Sequence, residues 1–127
     1  MENPEAIREI LVQATGTEHY WQALPEYSRF LFTDGVKLMA EMCEAFWLIT
    51  AVFSWQCEEK VKNEPFQVWT LRFNDNDKEK GDDALLICED GNDKELACQE
   101  ISFTDFPLPE GIKLFLYNEI LMLPLEY

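Results

Sequence analysis

The stretch AFWLITAVFSW, Ala45 to Trp55, places nine apolar residues in eleven positions, within a chain of 127 residues and formal net charge −15. Such a run has to be covered by lipid, by a partner or by the chain's own core. A membrane helix needs about twenty consecutive apolar residues. Extending this run back to Val36 brings in Lys37, Glu41 and Glu44 on successive turns, so no membrane span is expected. Upstream, FTDG offers Thr33 or Asp34 to cap the free N–H groups of a helix start, and the acid complements the helix dipole. Val36, Met39, Cys43, Phe46, Trp47 and Thr50 recur at three- and four-residue spacing, and Lys37 and Glu41 stand four apart on a second face. From Ala45 onward the polar face is lost, because Leu48, Val52 and Trp55 fall where the charged stripe would continue. The pattern predicts one long central helix with its second half buried, in which a charge at Phe46 or Leu48 should unfold the domain.

Around this helix the period changes. A short amphipathic helix follows Asn3, with Pro4 at the favoured first position, and runs through Ile7, Ile10 and Leu11 toward Gly16. The aromatic segment QALPEYSRFLF, broken by Pro25, reads as a loop leading into a helical turn or extended piece at Tyr27–Phe32. After Pro65, FQVWTLRF alternates as a strand, with Phe66 and Val68 on one side and Gln67 and Trp69 as its outward candidates. ALLIC and KELACQEI flank EDGND, whose Asp-Gly is a turn signal, and should form a hairpin. TDFPLPEG, with two prolines, cannot occupy a central strand. IKLFLYNEILMLPLEY fits two short strands turning near Asn118 and Glu119, or a short helix followed by a strand, and the strand reading is preferred. The expected fold is α+β: a long central helix and a short N-terminal helix packed on a mostly antiparallel sheet of four to five strands, in a single domain 1–127 that is helical over 1–62 and sheet over 65–127.

Charge narrows the function. Twenty-five Asp and Glu against ten Lys and Arg make direct contact with nucleic acid or an anionic membrane unfavourable and favour a basic protein partner. Cys43, Cys57, Cys88 and Cys98 form no C-x-x-C pair, and His19 is the single histidine, so no zinc set is assembled. MENPEAIREI has no basic n-region, so no secretory signal is visible and a reducing cytoplasm is expected for the thiols. The densest charged region carries Asp75, Asp77, Glu79, Asp82, Asp83, Glu89, Asp90, Asp93 and Glu95. An EF-hand loop starting at Asp75 would place Lys80 where glycine is required and Leu86 where a bidentate Glu is required, so the calcium motif fails and no metal or cofactor is expected. Those acids could be solvated loops. They could equally imitate a row of phosphates and occupy a Lys/Arg-lined groove, with Tyr20 and Trp21 as aromatic anchors. Catalysis by Ser-His, Cys-His or metal would have to pass through His19 in TGTEHYW, and neither G-x-S-x-G nor H-E-x-x-H is present.

The set TGTEHYW, FTDGVKLMAE followed by AFWL, FQVWTL, DGN, QEISFTDFPL and LPLEY, in order over residues 15 to 127, resembles a bacterial small-protein domain family of unknown function found on chromosomes, plasmids and other mobile elements. The resemblance implies a stand-alone acidic domain and brings no catalytic residues with it. Its mobile-element setting implies conflict between host defence and invader. The expectation is a non-enzymatic acidic interaction protein that blocks a nucleic-acid-binding host defence complex by mimicry, in the manner of an anti-CRISPR protein. The alternatives are a regulatory or housekeeping protein-binding domain whose acidity is only solvation, and a hydrolase using His19 with nearby carboxylates.

Overall fold

The computed structural model describes residues 3–14, 16–22, 29–73, 83–102 and 104–127. In chain order the elements are α1 (Pro4–Leu11), β1 (Tyr20–Gln22), β2 (Leu31–Thr33), α2 (Asp34–Cys43), α3 (Phe46–Ser54), a 3-10 turn (Trp55–Cys57), α4 (Glu59–Lys62), β3 (Phe66–Phe73), β4 (Ala84–Glu89), β5 (Glu95–Ile101), β6 (Ile112–Tyr117), β7 (Ile120–Met122) and a 3-10 turn (Pro124–Glu126). The α+β class is as expected. The sheet is larger than expected, with seven strands among the described residues in the order β1-β2-β7-β6-β3-β4-β5. Every neighbouring pair is antiparallel except β2 with β7. The two additional strands, the edge strand β1 and its neighbour β2, fall within the half assigned to helices, β2 overlapping the Tyr27–Phe32 piece for which an extended form is one of the two readings, so the boundary between a helical 1–62 and a sheet 65–127 does not hold. Each is only three residues long, too short for alternation to reveal it.

The long helix is also divided. Glu44 adopts a left-handed conformation (φ 52°, ψ 46°) and ends α2, and the Ala45 N–H donates back to the Ala40 carbonyl before α3 begins. Such a left-handed helix end is ordinarily supplied by glycine, and with Glu44 in that place the sequence carries no mark of the break. The break separates two faces that one straight helix would have carried together. In α3, Leu48, Ile49, Val52 and Phe53 are buried, whereas Phe46 is 47% exposed. Phe46 is therefore not a core residue, contrary to the helical reading.

Local chemistry explains most element ends. The Asn3 side chain accepts from the Ala6 N–H at 2.9 Å, with Pro4 in the first turn of α1. At α2 the cap is Thr33, whose hydroxyl accepts from the Val36 N–H, and Asp34 is the first-turn acid. The β4–β5 hairpin turns over 90–94, with Gly91 (φ 87°) and Asp93 (φ 67°) in left-handed backbone, and β6 turns to β7 through Asn118 (φ 54°) and Glu119 (φ 64°), a two-residue turn that settles the strand reading of that segment.

The facing of β3 is the reverse of the alternation expected from its sequence. Gln67 and Trp69 point inward with Leu71 and Phe73 and are almost fully buried, while Phe66 and Val68 face outward. Leu71 and Phe73 share this parity and exposed Arg72 the other, and Gln67 is accommodated inside by a closed amide network. Gln67 and Gln56 donate to each other at 2.9 Å in both directions, Gln67 donates to the Val61 carbonyl at 2.8 Å, Gln56 donates to the Val52 carbonyl, and the Trp69 indole N–H donates to Gln67 Oε1. Two buried polar side chains are thereby satisfied under the helices, and period two then turns Phe66 and Val68 to the opposite face.

Two predictions follow from burial. Leu48→Asp should destabilise the domain by more than about 3 kcal/mol, while Phe46→Asp should change stability by less than about 1 kcal/mol, as read from urea denaturation. Gln67→Leu, which strands the Gln56 amide, the Val61 carbonyl and the Trp69 N–H, should cost about 3 kcal/mol. Gln56→Leu should cost clearly less when added to Gln67→Leu than it does alone, because an apolar pair leaves fewer orphaned groups.

Candidate functional site

Three surfaces bring functional side chains together. The first surrounds the start of α2. Asp34 Oδ2 accepts from the Glu18 and His19 N–H groups at 2.9 and 3.2 Å, and Oδ1 accepts from the Trp21 indole at 2.8 Å. Thr17 completes the knot, its hydroxyl accepting from the Asp34 N–H and donating to the His19 carbonyl. These bonds, led by that from Trp21, hold the Asp34 carboxyl at about 2, below its ordinary value of 3.8. The His19 ring lies 70% exposed, with Nδ1 3.9 Å from Asp34 Oδ2, which is too long for a hydrogen bond. The geometry is that of a loop pinned to a helix end, with TGTEHYW and FTDG joined through one carboxylate. Tyr20 and Trp21, read as anchors, stand exposed on the edge strand β1, and Lys37 Nζ sits 4.5 Å over the Trp21 ring while pairing with Glu41 at 2.6 Å.

LPLEY closes the same helix end from the other side. Glu126 accepts from the Thr33 hydroxyl at 2.6 Å, the Leu123 N–H at 3.0 Å and the Gly35 N–H at 3.2 Å. Any side chain at position 35 would collide with it, since a Cβ there would lie 2.5 Å from Glu126 Oε1 and 2.8 Å from Leu123 Cδ1. The glycine of FTDG thus admits a carboxylate to the orphan N–H groups of the helix.

The second surface is the acidic turn after β4. Asp75, Asp77, Glu79 and Asp82, four of the acids singled out from the sequence, lie outside the described residues. Asp83 precedes β4 at the end opposite Glu89, roughly 20 Å away along the strand. Glu89, Asp90, Asp93 and Glu95 gather at the other end. Asp90 Oδ1 accepts from the Asn92 and Lys94 N–H groups and so shapes the turn, and Glu89 stands directly opposite Glu95 across the strand pair, beside a register shift. Tyr20 and Trp21 lie on the far edge of the sheet, about 24 Å from β4 at the ordinary strand spacing, so the expected anchors and acids do not share one surface.

What adjoins the turn instead is a group of rings that the sequence reading missed. Phe66, Phe115, Tyr117 and Tyr127 pack with centroid separations of 5.0 to 6.1 Å on the outer face of the sheet. A Cβ at Gly91 would lie 3.5 Å from the Phe66 ring and 3.9 Å from Val68 Cγ2, so the acidic turn leans on this cluster. Its only signal in the sequence is the facing of FQVWTL, which depends on where Gln67 goes.

The third surface is a shallow groove of about 410 Å³ beside α1, lined by Leu11, Val12, Leu108, Ile112 and Leu125 and bridged by Arg8 and Glu110 at 2.6 Å. The bridge lowers the Glu110 carboxyl and raises the Arg8 guanidinium. A smaller cavity of about 180 Å³ touches Arg29, Gln56, Lys62 and Gln67. Among the described residues no three His, Cys, Asp or Glu side chains converge as a metal site, and no helix is long and apolar enough to cross a membrane. Buried Cys43 and Cys88 have thiols pushed up to about 12 by burial, which holds them protonated at neutral pH.

Fold and surfaces together define an acidic α+β domain with helices on one face of its sheet and an aromatic patch on the other. The chain belongs to a family of unknown function, DUF6876, which it matches over residues 5–127. No curated protein and no solved structure matches it.

The Asp34 knot carries a pH signature. Because its folded-state value is depressed, Asp34 adds stability above about pH 4, and that contribution is lost as pH falls through 3.8 toward 2. Asp34→Ala should therefore lower the melting temperature at pH 7, and its gap from the parent protein should narrow as pH falls from about 4 toward 2.

Proposed function

We propose that this protein is a small, non-enzymatic acidic interaction protein that covers the basic surface of a nucleic-acid-binding complex and so inhibits it. The observation that carries the reading is the joining of two features: a carboxylate-rich turn (Glu89, Asp90, Asp93, Glu95) lies against the half-buried Phe66 ring, on which the exposed Tyr117 and Tyr127 rings also pack, within a chain of net charge −15. Long-range charge speeds encounter with a basic partner and rejects acidic ones, and rings supply contact area that charge alone does not. The setting among mobile elements that the sequence resemblance implies points to a host defence complex as the target. The His19 ring, 70% exposed and beyond hydrogen-bond distance of Asp34, and the Thr17 hydroxyl, engaged with the His19 carbonyl and the Asp34 N–H, favour this reading over a hydrolase.

The test is competition. A protein captured from host lysate should be released by added duplex or single-stranded nucleic acid and by raising salt, and its own nucleic-acid binding should be inhibited by this chain. Neutralising Glu89, Asp93 and Glu95 together, as Gln or Asn, should weaken the complex about tenfold or more at low salt. Asp93→Asn is compatible with the left-handed backbone at that position. Capture that neither salt nor nucleic acid disturbs would overturn the reading.

A further inference from the structure

The outer face of the sheet carries the next step. Register places Leu31, Ile120, Tyr117 and Phe66 side by side on β2, β7, β6 and β3, and Met122, Phe115, Val68 and Glu89 in the adjacent row over β7, β6, β3 and β4. None of these belongs to the core cluster that the helices cover. The helices pack against the inward set, Trp69, Leu71, Leu86, Cys88, Leu114, Leu116 and Leu121 among them. Antiparallel sheets with one uncovered face ordinarily show polar side chains there. Here the rows over β2, β7, β6 and β3 are aromatic and aliphatic, and Tyr127 (69% exposed) and Tyr117 (39% exposed) present ring surface to solvent.

We infer that this face is a docking platform for an arginine-bearing segment of the basic partner, one guanidinium stacking on an exposed Tyr117 or Tyr127 ring and another pairing with Glu89 and Glu95, which stand two and three strands from Tyr117, about 10 and 14 Å across the sheet. The inference rests on the acidic-partner reading above and assigns it a surface and a chemistry. Charge complementarity selects the occupant. Glu89 and Glu95 face each other across β4 and β5, a like-charge arrangement that a cation from outside relieves. Exposed aromatic faces and carboxylates on one surface suit a segment of planar cations, which can stack on a ring or pair with a carboxylate, better than they suit ammonium groups. A second copy of the chain would instead bring two acidic turns and two charges of −15 together, which opposes self-association through this face.

The experiment uses the whole chain with an oligo-arginine peptide, and an oligo-lysine peptide of equal length, as probes. NMR should show peptide-dependent shifts at the rings of Phe66, Phe115, Tyr117 and Tyr127 and at the amides of Glu89 and Glu95. Tyr117→Ser combined with Tyr127→Ser should weaken oligo-arginine binding at least about fivefold at low salt, and should weaken oligo-lysine less. Both rings are exposed, and circular dichroism should show that this variant keeps the parent fold. Shifts confined to Trp21 and its surroundings, or affinity unchanged in the double variant, would overturn the platform while leaving the acidic-partner reading standing. Failure of both peptides to bind at low salt would overturn both. Concentration-dependent dimerisation that shifts the same four rings would assign the face to a second copy and overturn the inference.

Discussion

The inward side of β3 carries the apolar Trp69, Leu71 and Phe73, and the reciprocal amide pair of Gln56 and Gln67 is what lets a polar side chain share that side. Buried amides are costly unless every donor and acceptor is used. Here the Val52 and Val61 carbonyls and the Trp69 indole close the set, and no buried side-chain polar atom among the described residues lacks a partner. The pair ties the end of the α3 region to the first turn of β3 across eleven residues. Because β3 is the strand between β6 and β4, its facing propagates through register to both neighbours. Reversing it would bury Arg72 and expose Leu71 and Phe73. The aromatic outer face thus follows from burying Trp69, Leu71 and Phe73, with Gln67 satisfied on the same side by Gln56.

A second organising point is the N-terminus of α2, where two carboxylates arrive from distant parts of the chain. Asp34 gathers the segment from Thr17 to Trp21, and Glu126 gathers Thr33, Gly35 and Leu123. Both satisfy N–H groups near the helix end, and both place negative charge where the helix dipole favours it. The otherwise separate stretches TGTEHYW, FTDG and LPLEY become one local structure. This gives those residues a structural task and moves the search for a binding surface elsewhere, to the opposite side of the sheet.

Much of the architecture was legible in the chain. Asn3 with Pro4, the turn in EDGND, a strand beginning after Pro65 and the paired turn at Asn118 and Glu119 each correspond to a local physical rule, and each element stands where its rule puts it, although the strand faces the other way. Other features were not legible for equally physical reasons. Glu44 breaks the helix without a glycine or proline to mark it. Strands β1 and β2 are stabilised by pairing with each other and with β7, and they carry too few residues for a period. Of the candidate site, the charge of the 89–95 turn could be read directly. Its neighbours could not, since Tyr117 and Tyr127 meet Phe66 only after three segments of chain are brought to one face.

By itself the sequence determined that the Ala45–Trp55 run is core-forming, that helices and an antiparallel sheet make up the fold, and that any binding partner meets a strongly acidic chain. Those are properties of composition, spacing and local backbone preference, all of which act within a few residues. Only the tertiary structure decided that Gln67 lies under the helices, that Phe66 looks outward, and that the acidic turn rests on a group of rings. A strand's alternation defines two faces without saying which is the inner one. That choice is made by hydrogen-bond satisfaction and packing between residues far apart in the chain, and so it appears only once the chain has folded.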